Sequence, residues 1–340
     1  MPCVAYGSYK ELAKDPNIDI VYVASPHSHH YQNVRLCFEN GKPVLCEKAF
    51  TVNAAQARSL YHLARSKQLF LMEAVWTRYF PLSKAIRKHI IEGDLGEVVR
   101  VHADLSVGLP PETSFDVSHR MINKNLAGGA LLDLGIYSLT WIFQALYHTL
   151  RVSKRLAPEV KGVAMAMEPR TGSDEMTSVL LEFPHSAPNG EFKAHATATT
   201  AMRLDHATSK HAMTGPTVRI QGTKAEIQVF GLTSTPTKYK LVPWQSHQTA
   251  AAGRTPISTC IQEHTFDFPG NGSGLFWEAD EAARCWRDGK LESDDMPWRE
   301  SIVIMETMDE IRRQGGLTYP ENIESTDYPL DLDCQRESSR

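Results

Sequence analysis

The chain has 340 residues, 42% of them hydrophobic and 22% charged, with a formal net charge of -4. That is an ordinary globular composition, long enough for two domains and a sizeable core, and its acidity argues against nucleic acid or an anionic membrane as partner. No run reaches the roughly 18 consecutive apolar residues of a bilayer span. The first residues carry no leader pattern, and the six scattered cysteines, without C-x-x-C spacing, read as reduced thiols of a cytoplasmic protein.

In chain order, Ser8-Tyr9-Lys10-Glu11 predicts a capped helix that Pro16 ends. Residues 18–24 form a β-branched apolar run, expected to be a strand buried on both faces. Ser25-Pro26-His27-Ser28 turns away at its carboxyl end. Residues 30–40 read as a helix with Gly41 at its end, 43–46 as a strand, 53–68 as a helix boxed by Asn53 and Gln56, and 69–74 as a third strand. This alternation, at a spacing of about 25 residues, predicts a right-handed parallel α/β sheet.

After residue 80 the rhythm changes. Helices are expected over 81–92, 126–148, 275–288 and 297–314. Strands are expected over 97–107, 160–167, 177–183, 194–204, 217–220, 226–229 and 239–242, with Thr223-Lys224 as a hairpin turn. Few helices separate those strands, so the second part reads as an α+β domain with a large, mostly antiparallel sheet. The fold class is thus α/β plus α+β, with a truncated Rossmann-like sheet first. The expected domains are 1–80 (partial dinucleotide-binding), 81–326 (substrate-binding and dimerisation) and a polar tail over 327–340. The stretch 233–259 is expected to loop over the surface.

Lys48 ends the apolar run Val44-Leu45-Cys46-Glu47, and ligands of open parallel sheets bind beyond the carboxyl ends of strands. Ser25-Pro26-His27 and Trp76 fall at the neighbouring strand ends, so three strand ends supply polar or aromatic groups to one rim. Asp133 and Tyr137 are four residues apart and share a helix face. Apolar neighbours bury Asp133, which then needs a partner, and Lys48 is the candidate. An amine, a carboxylate and a phenol together can move a proton to or from a substrate hydroxyl. A buried ion pair with a structural tyrosine is the alternative reading of the same residues. His27, His29 and His30 lack acidic neighbours at ligand spacing, so no metal site is predicted; His27 or His30 lining a cofactor edge fits better. Gly270-Asn271-Gly272-Ser273-Gly274 departs from the G-x-G-x-x-G pattern and reads as a flexible loop.

With these residues in hand the chain resembles the Gfo/Idh/MocA oxidoreductase family, in the branch of dihydrodiol and D-xylose dehydrogenases. The resemblance rests on residues 25–30, on Cys46-Glu47-Lys48-Ala49-Phe50, on Met72-Glu73-Ala74-Val75-Trp76-Thr77-Arg78, on Leu126-Ala127-Gly128-Gly129 with the 133–137 turn, on 220–223 and on 277–280. It implies catalysis by Lys48, Asp133 and Tyr137. It implies a nicotinamide site lined by Ser25, Pro26, His27, His30, Glu47, Lys48, Trp76 and Arg78, with NADP as cofactor, NAD being the other option, and a homodimer formed through the antiparallel sheet. The implied activity is oxidation of a secondary carbinol of a sugar or a trans-dihydrodiol.

Two departures stand out. Ala49 replaces the family's proline. The opening strand, G-x-G-x-x-G turn and second strand are expected to be missing, which leaves strand 18–24 with a bare edge. The alternative function is a cofactor-free homologue that runs acid–base chemistry as an isomerase, cyclase or lyase, or serves as a dimeric binding protein.

Overall fold

The computed structural model describes residues 3–187, 190–205, 215–244, 260–270 and 272–332. Three short parallel strands, β1 (Val21–Val23), β2 (Val44–Glu47) and β3 (Leu71–Ala74), lie side by side in sequence order. Helices Tyr9–Lys14, His27–Glu39 and Ala54–Lys67 alternate with them. Their starts follow the predicted chemistry. Ser8 Oγ accepts the Glu11 amide at 3.2 Å, and Asn53 Oδ1 accepts the Gln56 amide at 2.9 Å, satisfying first-turn N–H groups that have no partner within the helix.

The first strand corrects one expectation. It is three residues long rather than seven, and it is not buried on both faces, because Tyr22 is 49% exposed. Its only ladder partner among the described residues is β2, so it is an edge. The Tyr22 side chain turns outward, where its hydroxyl donates to Glu47 Oε1. The peptide between Lys48 and Ala49 is cis.

The second sheet has eight strands in the order β11-β10-β9-β8-β4-β7-β6-β5. These are β4 (Val98–Ser106), β5 (Glu159–Met167), β6 (Asp174–Ala187), β7 (Gly190–Ala201), β8 (Val218–Gly222), β9 (Ala225–Phe230), β10 (Lys238–Pro243) and β11 (Gln262–Thr265). Every neighbouring pair is antiparallel except β4 with β7. The expected surface stretch 233–259 therefore contains β10; residues 245–259 lie outside the described residues, as do Asn271 in the glycine-rich loop and 333–340 in the tail.

The central helical run starts at 131 rather than 126, because 124–126 is a separate 3-10 turn. It is almost wholly buried and packs on β4 and β7. Lys124–His148 is long and apolar enough to cross a membrane, but 94% of its apolar window is buried inside the fold, as befits a core helix. Helix Trp298–Gly315 packs on both Ala54–Lys67 and β5, so one element touches both sheets' layers. The described part of the tail is docked: Gln32 Nε2 donates to Asp327 O at 2.8 Å, and Leu330 N–H donates to Gln32 Oε1 at 3.0 Å.

Candidate active site

The carboxyl ends of β1, β2 and β3 form one rim of a cleft of about 520 Å³, and the 131–148 helical run closes the other side. Lys48, one residue past β2, reaches across. Its Nζ donates to the Asp133 carbonyl oxygen at 2.5 Å and to Asp133 Oδ1 at 3.1 Å. The same ammonium lies 4.8 Å from the centre of the Tyr137 ring, a cation over a π face. The structure thus brings together the three residues that the sequence singles out.

What fixes the helix is local. Residues Leu131–Gly135 form a π turn, closed by Ile136 N–H on Leu131 O, one residue wider than an α turn. Asp174 caps its start, with Oδ2 accepting the Leu131 amide at 2.7 Å and the Thr177 hydroxyl at 3.0 Å. This acid approaches so closely that a Cβ on Gly129 (φ +140°) would fall 2.1 Å from Asp174 Oδ1. Gly129 is therefore needed for a side-chain cap as well as for a turn. Burial raises the Asp174 carboxyl to about 6.

Three basic groups surround Asp133. Besides Lys48, Arg120 Nη1 donates to Oδ1 at 2.9 Å, and His27 Nε2 lies 4.0 Å away. Burial opposes ionisation of Asp133, but the charge of Lys48, with the charge and hydrogen bond of Arg120, holds its carboxyl well below the usual range. His27 is neutral at physiological pH, since burial pushes it down to about 3. Its Nδ1 lies 3.2 Å from the Ala127 carbonyl, which assigns the N–H to that nitrogen and leaves Nε2 as the acceptor. Its contact with Asp133 is therefore dipolar rather than ionic. Burial, reinforced by the charges of Glu47 and Asp133, raises the Tyr137 phenol well above its ordinary value.

Ser25, Pro26, His27, Glu47, Lys48 and Trp76 all line this cleft. Two predicted wall residues do not. Arg78 is fully buried and pairs with Glu300 at 2.5 Å, while its Nε donates to Asp295 O at 2.7 Å. Trp76–Tyr79 is a 3-10 helix, so Arg78, two residues past Trp76, points away from the rim. His30 sits one turn deeper than His27, with Nε2 at 2.8 Å from Ser25 O and Nδ1 at 3.1 Å from Ala49 O. It braces the rim from behind rather than facing a ligand.

The sequence reading missed Arg120, which lies in the connection between β4 and the 131–148 helical run. It also missed the buried Glu278. Burial, then the nearby charge of Glu47, pushes this carboxyl up to about 9, so it is held in the protonated form.

Comparisons with known proteins identify the family and the fold. Residues 2–75 match the oxidoreductase family with NAD-binding Rossmann fold (GFO/IDH/MocA), and residues 83–228 match the GFO/IDH/MocA C-terminal domain. Over 327 residues the chain is 54% identical to D-xylose 1-dehydrogenase (NADP(+)) of Hypocrea jecorina, covering 95% of this chain and 79% of that protein. Over 318 residues it is 34% identical to trans-1,2-dihydrobenzene-1,2-diol dehydrogenase of Homo sapiens, covering 94% of this chain and 84% of that one. Among solved structures, levoglucosan dehydrogenase in complex with NADH and levoglucosan superposes with a TM-score of 0.71 at 16% identity, over 92% of this chain and 81% of that one. The 3-ketoreductase KijD10 from Actinomadura kijaniata, in complex with NADP, gives 0.68 at 18%, over 90% and 81%. At such identities these two speak for the fold alone. The rim, the sheet order and the long stretches of shared sequence lead to one conclusion: the chain belongs to the Gfo/Idh/MocA oxidoreductase family.

Proposed function

We propose that the protein is an NADP-dependent dehydrogenase that oxidises a secondary carbinol of a sugar of the D-xylose type or of a trans-dihydrodiol. The observation that carries this is the Lys48 ammonium set between the Asp133 carboxylate and the Tyr137 ring at the carboxyl ends of three parallel strands. The 54% identity to an NADP-dependent D-xylose dehydrogenase supports both the substrate class and the choice of NADP. No feature of the described residues favours the cofactor-free alternative.

The rim fits a nicotinamide cofactor by its donor set: the Ser25 hydroxyl, the neutral His27 imidazole, the Glu47 carboxylate and the Lys48 ammonium would hold it. When bound, the cofactor supplies the hydride acceptor. The protein's own residues handle the proton. Tyr137 takes it from the carbinol hydroxyl, Lys48 stabilises the negative charge that develops on the phenol, and Asp133 holds Lys48 in place. Residues 1–80 are taken as the cofactor-binding half and 81–326 as the half that binds substrate and forms a homodimer through the outer face of the eight-stranded sheet. Free thiols at Cys3, Cys37, Cys46 and Cys285 fit a cytoplasmic enzyme.

NADPH titration of the purified chain tests the reading. Trp76 lines the cleft, so saturable quenching of tryptophan fluorescence is expected, lost in Trp76→Phe; absence of binding at millimolar NADPH would remove the dehydrogenase assignment. A pH profile tests the base. A phenol with so raised a pKa stays protonated at neutral pH, the form that carbonyl reduction needs. In the oxidation direction the phenolate is required, so kcat/KM should climb by about tenfold per pH unit into the alkaline range. An oxidation rate that is flat from pH 7 to 10 would exclude Tyr137 as the base.

A further inference from the structure

Glu73 belongs to a stretch, Met72–Ala74, that the cleft itself does not use. It lies on β3, opposite Cys46 in the ladder with β2, and is 1% exposed. A buried carboxyl is expensive at a strand position that an apolar side chain would fill, unless its oxygens are engaged. Both are. Oε1 accepts the Phe50 amide at 3.1 Å and Oε2 accepts the Ser301 hydroxyl at 2.6 Å.

These two partners lead to the two halves of the reactive constellation. Phe50 is two residues past Lys48, and its amide would otherwise be an orphan donor in the turn that leaves β2. Its carbonyl and that of Ala49 are held by His30, at 3.2 and 3.1 Å. Ser301 lies on helix Trp298–Gly315. The residue beside it, Glu300, accepts from His148 Nδ1 at 2.8 Å, and His148 is the last residue of the helical run that begins with Asp133's own turn. One dipeptide, Glu300-Ser301, thus touches the end of the Asp133/Tyr137 helix and, through Glu73, the Lys48 turn.

We propose that Glu73 is a positioning residue for the reaction, acting through the Phe50 amide to hold the Lys48 turn in register with the helix that carries Asp133 and Tyr137. This rests on the dehydrogenase reading for its consequence in turnover, but not for its consequence in structure.

The test compares Glu73→Leu with Glu73→Gln in the full chain. Glutamine keeps an oxygen for the Phe50 amide and can donate to the Ser301 hydroxyl oxygen, whereas leucine can do neither. Glu73→Leu should lower kcat by about 100-fold with the KM for NADP little changed, the loss expected of a reacting group displaced by about 1 Å. It should also speed hydrogen exchange at the Phe50 amide while the β3 amides stay protected. Glu73→Gln should restore both. In a Lys48→Met background, Glu73→Leu should cost nothing further, because the two act as one unit.

The proposal is overturned if Glu73→Leu keeps wild-type kcat and Phe50 protection, if Glu73→Gln is as impaired as Glu73→Leu, or if Glu73→Leu loses protection across all three parallel strands, which would mark a merely structural residue. Should the wild-type chain fail to turn over, the dehydrogenase reading falls, and the exchange measurements still decide the role of Glu73.

Discussion

Replacing Lys48 with methionine is expected to lower turnover by about 100- to 10,000-fold, and replacing Tyr137 with phenylalanine by a similar factor, the range that a positioned acid–base group supplies. Neither change should unfold the protein. Methionine keeps the apolar stem of Lys48, and the Asp133 carboxylate left behind still pairs with Arg120 at 2.9 Å, so no buried charge is stranded. Phenylalanine keeps the ring on which the ammonium rests and removes only the hydroxyl. The double variant should be hardly worse than either single one, because residues that act on one proton do not contribute additively. Steady-state rates beside thermal unfolding curves decide the matter. Wild-type-like turnover in either single variant would remove that residue from the chemistry.

The largest stability effect is expected away from the cleft, at Arg78. Arg78 and Glu300 are both fully buried, paired at 2.5 Å, and tied further to His148 and to the Asp295 carbonyl. Arg78→Met removes the cation and leaves Glu300 facing only a histidine whose protonation burial disfavours. Breaking such a pair costs about 3–5 kcal/mol. Chemical denaturation should show that loss. The double change Arg78→Met with Glu300→Leu should recover part of it, because then no unpaired charge is buried. A single variant as stable as wild type would mean that the pair does not hold the fold.

These two cases also show what the sequence made legible. The parallel strands were readable because a buried strand is a short β-branched run between helix-capping residues, and Ser8 and Asn53 cap their helices as their spacing predicts. Lys48, Asp133 and Tyr137 were readable because charge at the end of an apolar run, or inside one, demands a partner. Direction was harder to read. Arg78 follows Trp76 closely in sequence, yet a turn of three residues per revolution sends it inward, and no pattern of residue types announces that 76–79 is such a turn. His30 shares a helix with His27 but lies one turn deeper. Tyr22 looked like part of a buried run and is half exposed, because burial of a strand depends on neighbours that its own residues do not specify. Asp174 was invisible as a cap because it comes 43 residues after the amide that it holds.

The π turn over Leu131–Gly135 has a consequence for how this segment can change. It holds one residue more than an ordinary helical turn. Losing one residue from this turn would let the ladder close as an ordinary α-helix with the downstream segment still in register, whereas adding one would have to widen the bulge further or turn everything downstream by about 100° about the axis. Exchange of side chains here leaves the backbone count intact, whereas a gain or loss of one position alters the four-residue spacing between the acid and the phenol. At this point in the chain, number constrains the molecule more tightly than identity.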